Sequence, residues 1–207
     1  MNCFCKNDCS FLWVVCVFFR IIAFYIIIIL NCFSFARHFV YDFIISVSFW
    51  NLVGAGLFGF LINPPIALYY MQGLNTTPLH GHAALFGVFG MLAIGLMLFV
   101  LKGLTIKYRW KTRMLSIAFW TMNGGLMLML LLSLLPVGVL QTVASIKVGM
   151  WYARSADFMQ GDTMETLRWL RLIGDTVFAV GSVALALFVV GLKTGWSVDK
   201  TQKLYQD

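Results

Sequence analysis

Apolar residues along this chain run in long unbroken blocks, separated by short polar stretches that hold most of the charge. Neither the alternation of a half-buried strand nor the narrow stripe of a soluble amphipathic helix is present. Five blocks are long enough to cross a hydrocarbon core of ~30 Å at a rise of about 1.5 Å per residue. They cover residues 11–35, 39–62, 79–101, 114–140 and 168–192. The pattern therefore predicts an all-α membrane protein of about five transmembrane helices.

Breakers refine these boundaries. Asn63-Pro64-Pro65 should end the second span, because consecutive prolines cannot continue a helix. Thr77 is placed to cap the third span, with Pro78 at its first helical position. Pro136 falls near the far end of the fourth, where a kink is tolerated. The connector 66–78 has no charge, and Tyr69 and Tyr70 suit an interfacial aromatic belt. Between the fourth and fifth spans, 141–167 reads as a loop of mixed charge.

Composition agrees. Of 207 residues, 61% are hydrophobic and 11% charged, and the mean hydropathy is +0.88. Soluble domains have about 45–50% apolar residues, so a water-soluble globule is excluded. The net charge of +7 is spread over loops and ends and forms no nucleic-acid-binding stripe. Lys102, Lys107, Arg109, Lys111 and Arg113 stand in one short acid-free loop, which marks it as cytoplasmic. Alternation puts the C-terminal tail on the same side and 63–78 and 141–167 outside. The five cysteines all precede residue 33 and lack a zinc-like spacing, so they read as structural or incidental. Arg20 lies mid-span in the first block and needs a partner or a route to the interface.

Two of the three histidines, His80 and His82, sit at the start of the third span. At about 100° per residue, positions two apart point about 200° away from each other. One metal ion is hard to hold with both; two partners, one on each side of the helix, fit better. Imidazole suits haem iron, so one reading is a helix between two haems. The other is that they are hydrogen-bonded polar residues near a helix end. Ala83, Ala84, Gly87 and Met91 share the His80 face, and Leu85, Phe86, Phe89 and Ala93 the His82 face. The small residues leave room for a planar group or for an ordinary neighbouring helix, and the aromatics for a porphyrin edge or for core packing. Gly54-x-Gly56-x-x-Gly59 lies inside a span and so is no nucleotide site.

Three stretches carry a family resemblance. Phe49-Trp50-Asn51-Leu52-Val53-Gly54-Ala55-Gly56 with Asn63-Pro64-Pro65 is the first, and Tyr69-Tyr70-Met71-Gln72-Gly73-Leu74-Asn75-Thr76-Thr77-Pro78-Leu79-His80-Gly81-His82 the second. The third comprises Gly149-Met150-Trp151-Tyr152-Ala153-Arg154-Ser155 and Leu170-Arg171-Leu172-Ile173-Gly174-Asp175-Thr176-Val177-Phe178. Together they resemble the large subunit of nitric oxide reductases, within the haem–copper oxidase superfamily, and look most like its single-chain, quinol-dependent branch. The likeness covers roughly residues 40–195. It implies that His80 ligates the iron of haem b3 and His82 that of haem b. It also implies quinol and nitric oxide as reactants, membrane lipid as the surroundings, and the bacterial inner membrane as the location.

The resemblance also exposes a gap. The family's non-haem iron takes three further histidines and a glutamate, and haem b takes a second histidine, all from upstream helices. Here only His38 remains, and the single glutamate, Glu165, belongs to the outer loop. The expectation is thus a C-terminal fragment with no catalytic residue of its own, inactive alone, with missing helices or a second copy as possible partners. Residues 1–38 read as a divergent leader, 39–195 as the reductase-like bundle and 196–207 as a polar tail. Arg154, with Arg171 as a second candidate, would pair with haem propionates; solvation, or pairing with Asp157, Asp162 or Asp175, is the alternative. The competing functions are a non-catalytic membrane haem protein and a haem-free remnant.

Overall fold

The computed structural model describes residues 39–105 and 108–203. The apolar block 11–35, Arg20, the cysteines and His38 lie outside that range. Four helices among the described residues are long and apolar enough to cross a membrane: α1 (Tyr41–Ile62), α3 (Thr76–Leu104), α4 (Arg113–Lys147) and α6 (Asp162–Thr194). Short helices α2 (Pro65–Met71) and α5 (Ala156–Met159) fill the connections at one end. At the other end β1 (Tyr108–Trp110) and β2 (Val198–Lys203) pair antiparallel. The four later predicted spans are thus present, and the chain is an all-α membrane protein with one small ribbon added.

Backbone contact at small residues holds the helices together. A Cβ on Gly125 of α4 would stand 2.5 Å from the Phe178 amide nitrogen, and one on Gly174 of α6 would stand 2.5 Å from that of Met129. On α1 and α3, a Cβ at Gly54 would meet the Ala83 backbone at 2.6 Å, and one at Gly87 would meet the Trp50 ring at 2.6 Å. In lipid, association comes from such close packing and from hydrogen bonds, because burial of apolar surface drives nothing there. Trp50 supplies both: it fills the Gly87 notch, and its indole Nε1 donates to Asn123 Oδ1 of α4 at 2.8 Å. Phe43, Trp50, Met91, Leu98, Leu115, Leu126 and Phe188 form the buried centre.

Three boundaries differ from the sequence reading. The segment 141–167 is not one loop: α4 continues to Lys147 and α6 already starts at Asp162. Polar side chains do not end α4 because each finds a partner. Thr142 bonds the Gly138 carbonyl, Ser145 the Tyr70 carbonyl, and Gln141 a set of loop groups. Gly149, at φ +124°, begins the turn that follows. Second, Pro64-Pro65 does end α1, but Pro65 then opens α2. Third, α3 begins at Thr76 with Asn75 at the cap position, two residues ahead of the predicted Thr77 cap and Pro78 start. Pro78 then falls in the first turn, where its absent N–H would have had no partner in any case.

Pro136 stands next to a π-type wide turn at Leu130–Leu134. The widening relieves the clash a proline makes with the preceding turn. Similar wide turns occupy Asn51–Phe58 and His82–Gly90, and the two face each other across the α1–α3 contact.

Candidate functional site

The first turn of α3 is fixed from outside before either histidine is reached. Gln141 of α4, 4% exposed, accepts from both the Asn75 backbone N–H, at 2.9 Å, and its side-chain amide, at 2.8 Å. The Gln141 amide in turn donates to the Ala153 carbonyl and to the Met159 sulfur. Thr76 adds a bond to the Met71 carbonyl. One buried glutamine therefore joins the entry to α3 to the loop that follows α4.

His80 and His82 then point to different helices. The Nδ1 of His80 lies 2.8 Å from the Gly54 carbonyl of α1, and the ring rests where Gly59 has no side chain; a Cβ there would stand 3.0 Å from Cε1. His82 Nδ1 lies 2.8 Å from the carbonyl of Pro78, one turn back on α3. Its Nε2 faces the Nη2 of Arg171 on α6, at 3.4 Å. A carbonyl can only accept, so each Nδ1 carries a proton, and the other ring nitrogen, Nε2, is the one available to a ligand. This is the tautomer that metal-ligating histidines are commonly held in, with the far nitrogen donating to a carbonyl.

The surroundings of the two rings differ. The small residues beside His80 serve helix packing: Ala83 is fully buried against Gly54, and Gly87 against Trp50. On the other side, Thr77, Pro78, Gly81, His82, Leu85 and Phe86 line an open, largely apolar groove of about 510 Å³. Leu85 is outward-facing there, while Phe86 packs edge-on against Phe178 of α6 at 4.7 Å. The groove brings an imidazole, an apolar wall and, through Arg171, a cation to one place. Such a donor set fits the edge and iron of a haem, whose ring is apolar and whose propionates are anionic. For His80 the structure offers the ring's tautomer, while the space left by Gly59 is filled by the imidazole itself.

The two arginines are placed differently. Arg154 is exposed and donates from Nη2 to the Gln72 carbonyl, close against Gly73, whose φ of +70° and missing side chain admit it. It has no bond to either histidine and no ion pair with Asp157 or Asp162. Arg171 is the arginine beside His82, and its Nε lies 3.3 Å from Asp175 Oδ2. Both members of that pair are roughly two-fifths exposed, so it contributes little to stability. Among the described residues no three His, Cys, Asp or Glu side chains gather as metal ligands. Gly54, Gln141 and Asn123 are the contributors that the motif reading missed. A polar residue inside an apolar span was the available signal for Asn123; Gln141 fell just past the predicted end of its span and gave none.

Comparison with known proteins now bears on this geometry. The family model described as cytochrome c and quinol oxidase polypeptide I matches residues 9–177. The chain belongs to that family. The match begins upstream of residue 40 and so takes in the apolar block 11–35. A nitric oxide reductase polypeptide of Stutzerimonas stutzeri is 27% identical to the chain over 150 residues, which is 67% of this chain and 30% of that protein. The chain thus spans less than a third of the length of that relative. Membership makes it an integral membrane protein of a haem–copper oxidase-type redox family.

Proposed function

We propose that this chain supplies the haem-bridging helix of a quinol-dependent nitric oxide reductase, with His80 as the axial ligand of haem b3 and His82 as that of haem b. The observation that carries the proposal is the pair of Nδ1–carbonyl bonds, both at 2.8 Å, on rings that reach toward opposite neighbours of α3. A haem at each position would supply a redox-active iron, and Leu79-His80-Gly81-His82 would lie between the two as a short path for electrons. Arg171 rather than Arg154 is the residue placed to meet a propionate beside His82. The likeness to the Stutzerimonas stutzeri nitric oxide reductase supports the reaction: two nitric oxide molecules, two electrons and two protons give nitrous oxide and water. The membrane is the bacterial inner membrane, with 102–113 and the C-terminal tail cytoplasmic.

The chain holds three histidines and one glutamate in all. With two histidines spent on the haems, His38 is too little for a non-haem iron and for the second ligand of haem b. The proposal is therefore of a partial reductase, the remaining ligands coming from another polypeptide or another copy, with negligible turnover by itself. Reduced-minus-oxidised spectra after haem reconstitution test the ligands: His80→Ala and His82→Ala should each remove a different spectral component. Headspace assay of nitrous oxide tests the rest. Clear turnover by the isolated chain would overturn the partial reading; no Soret band in the wild type would overturn the haem assignment. That second result would favour a haem-free structural protein, in which Gly54, Pro78 and Arg171 are the final partners of the two rings.

A further inference from the structure

The end of the bundle opposite the histidines has a feature that the redox reading does not use. There α3 ends at Leu104, α4 starts at Arg113 and α6 ends at Thr194, and the β1–β2 ribbon ties the three ends together. Lys111 donates its backbone N–H to the Ser197 carbonyl at 2.8 Å. Trp110 is buried under the ribbon against Phe188, with the Lys102 ammonium over its ring at 5.1 Å. The backbone that carries the cations around this ribbon is therefore tied in place.

Lys111, Arg113 and Lys193 are exposed and have no acidic partner among the described residues. Arg109 stands opposite Asp199 in the strand register, so it faces an acid. The other described acid at this end is Asp42, in the first turn of α1. Directly beside the cations are outward-facing apolar and aromatic side chains: Leu104 at 78% exposure, Trp196 at 45% and Tyr108 at 41%. Cationic tips next to apolar and aromatic flanks complement a lipid, whose charged phosphate adjoins its acyl chains, better than a free soluble anion.

We propose that this face binds anionic phospholipid headgroups of the adjoining leaflet, with Lys111, Arg113 and Lys193 contacting the phosphate and Trp196 and Tyr108 lying at the glycerol level. Juxtamembrane cations attract acidic lipids electrostatically, each one adding to the attraction. Trp and Tyr prefer that depth. The ribbon is what turns a loop charge into a shaped site.

Native mass spectrometry of the whole chain, released from micelles with equal phosphatidylcholine and phosphatidylglycerol, tests this. The wild type should retain phosphatidylglycerol preferentially. The triple variant Lys111→Gln, Arg113→Gln, Lys193→Gln should lose at least about fivefold of that preference, roughly the value of one surface cation. The double variant Lys147→Gln, Arg168→Gln, at the opposite end, should keep it. Raising salt from about 0.1 M to about 1 M shortens the screening length from about 10 Å to about 3 Å and should erase the wild-type preference. Equal retention of the two lipids by the wild type would overturn the proposal. So would a preference that survives the triple variant or high salt.

Discussion

The Nη2 of Arg171 stands 3.4 Å from the Nε2 of His82, across the contact between α6 and α3. That ring nitrogen is the one available to a ligand, since Nδ1 donates to Pro78. The guanidinium is tied on its other side to Asp175, one turn along α6. Arg171 is thus the cation on hand for an anionic group brought to His82, whereas Arg154 is engaged by the Gln72 carbonyl. Arg171→Ala should therefore weaken haem retention about tenfold, the loss expected from one charge-assisted bond. Arg154→Ala should change it little. Haem titration followed at the Soret band measures both, and a larger effect from Arg154 would reverse the assignment.

Glycine substitutions along the α1–α3 contact should separate packing from ligation. Gly54→Ala drives a methyl into the Ala83 backbone, at 2.6 Å from its carbonyl carbon, and helix backbone cannot yield locally. A loss of about 1–3 kcal/mol is expected, the usual cost of overpacking. Gly81 has nothing within 4 Å of the equivalent position, so Gly81→Ala should be neutral or slightly stabilising. Gly59→Ala meets only the edge of the His80 ring, at 3.0 Å. It should leave the fold intact while altering any spectrum that depends on His80. Thermal unfolding in detergent, paired with haem spectra, distinguishes the three outcomes.

The fold class was legible because membrane spans are written in long apolar blocks, and the four blocks within the described range all appear as helices. Their ends were less legible. Residues 141–147 look like loop because Gln141, Thr142 and Ser145 are polar, yet each has its partner on the helix itself or on a segment distant in sequence. No local pattern announces the Tyr70 carbonyl to Ser145. At the site, opposed directions for His80 and His82 follow from helical periodicity alone. What periodicity could not supply was the pair of acceptors, Gly54 on a preceding span and Pro78 on the same helix. The choice between Arg154 and Arg171 likewise depends on tertiary contact, since both lie far from His82 along the chain.

Gln141 offers a test of how the entry to α3 is held. Its carbonyl takes two bonds from Asn75, and its amide gives two to Ala153 and Met159. Gln141→Leu keeps the bulk but leaves the Asn75 N–H and the Ala153 carbonyl without their partner in a buried setting. The cost should be about 1–3 kcal/mol for each group left unsatisfied. Gln141→Glu keeps the acceptor toward Asn75 and removes the donor, and should lose the Ala153 and Met159 contacts first. Limited proteolysis should then show faster cutting within 148–161 in both variants, with thermal unfolding lowered more by leucine. Unchanged cutting in both would mean that Gln141 does not hold the loop.

Trp50 and Asn123 join α1 to α4 by a hydrogen bond inside the membrane, 2.8 Å from indole nitrogen to amide oxygen. Asn123 is held ready for it, its own amide donating to the Phe119 carbonyl at 2.9 Å. Such interhelical bonds average about 0.6 kcal/mol in double-mutant cycles, because the unfolded chain in the bilayer also finds partners. Trp50→Phe removes the donor and shrinks the ring that fills the Gly87 notch, so its total cost should exceed the bond alone, at about 2 kcal/mol. Asn123→Leu removes the acceptor without touching that notch and should cost under about 1 kcal/mol. The double variant should then fall short of the sum of the two by about the value of the bond. Steric-trap or detergent unfolding of the four proteins measures that coupling. Strict additivity would mean that the Trp50 indole stabilises α1 against α3 by shape alone, with Asn123 a bystander on α4.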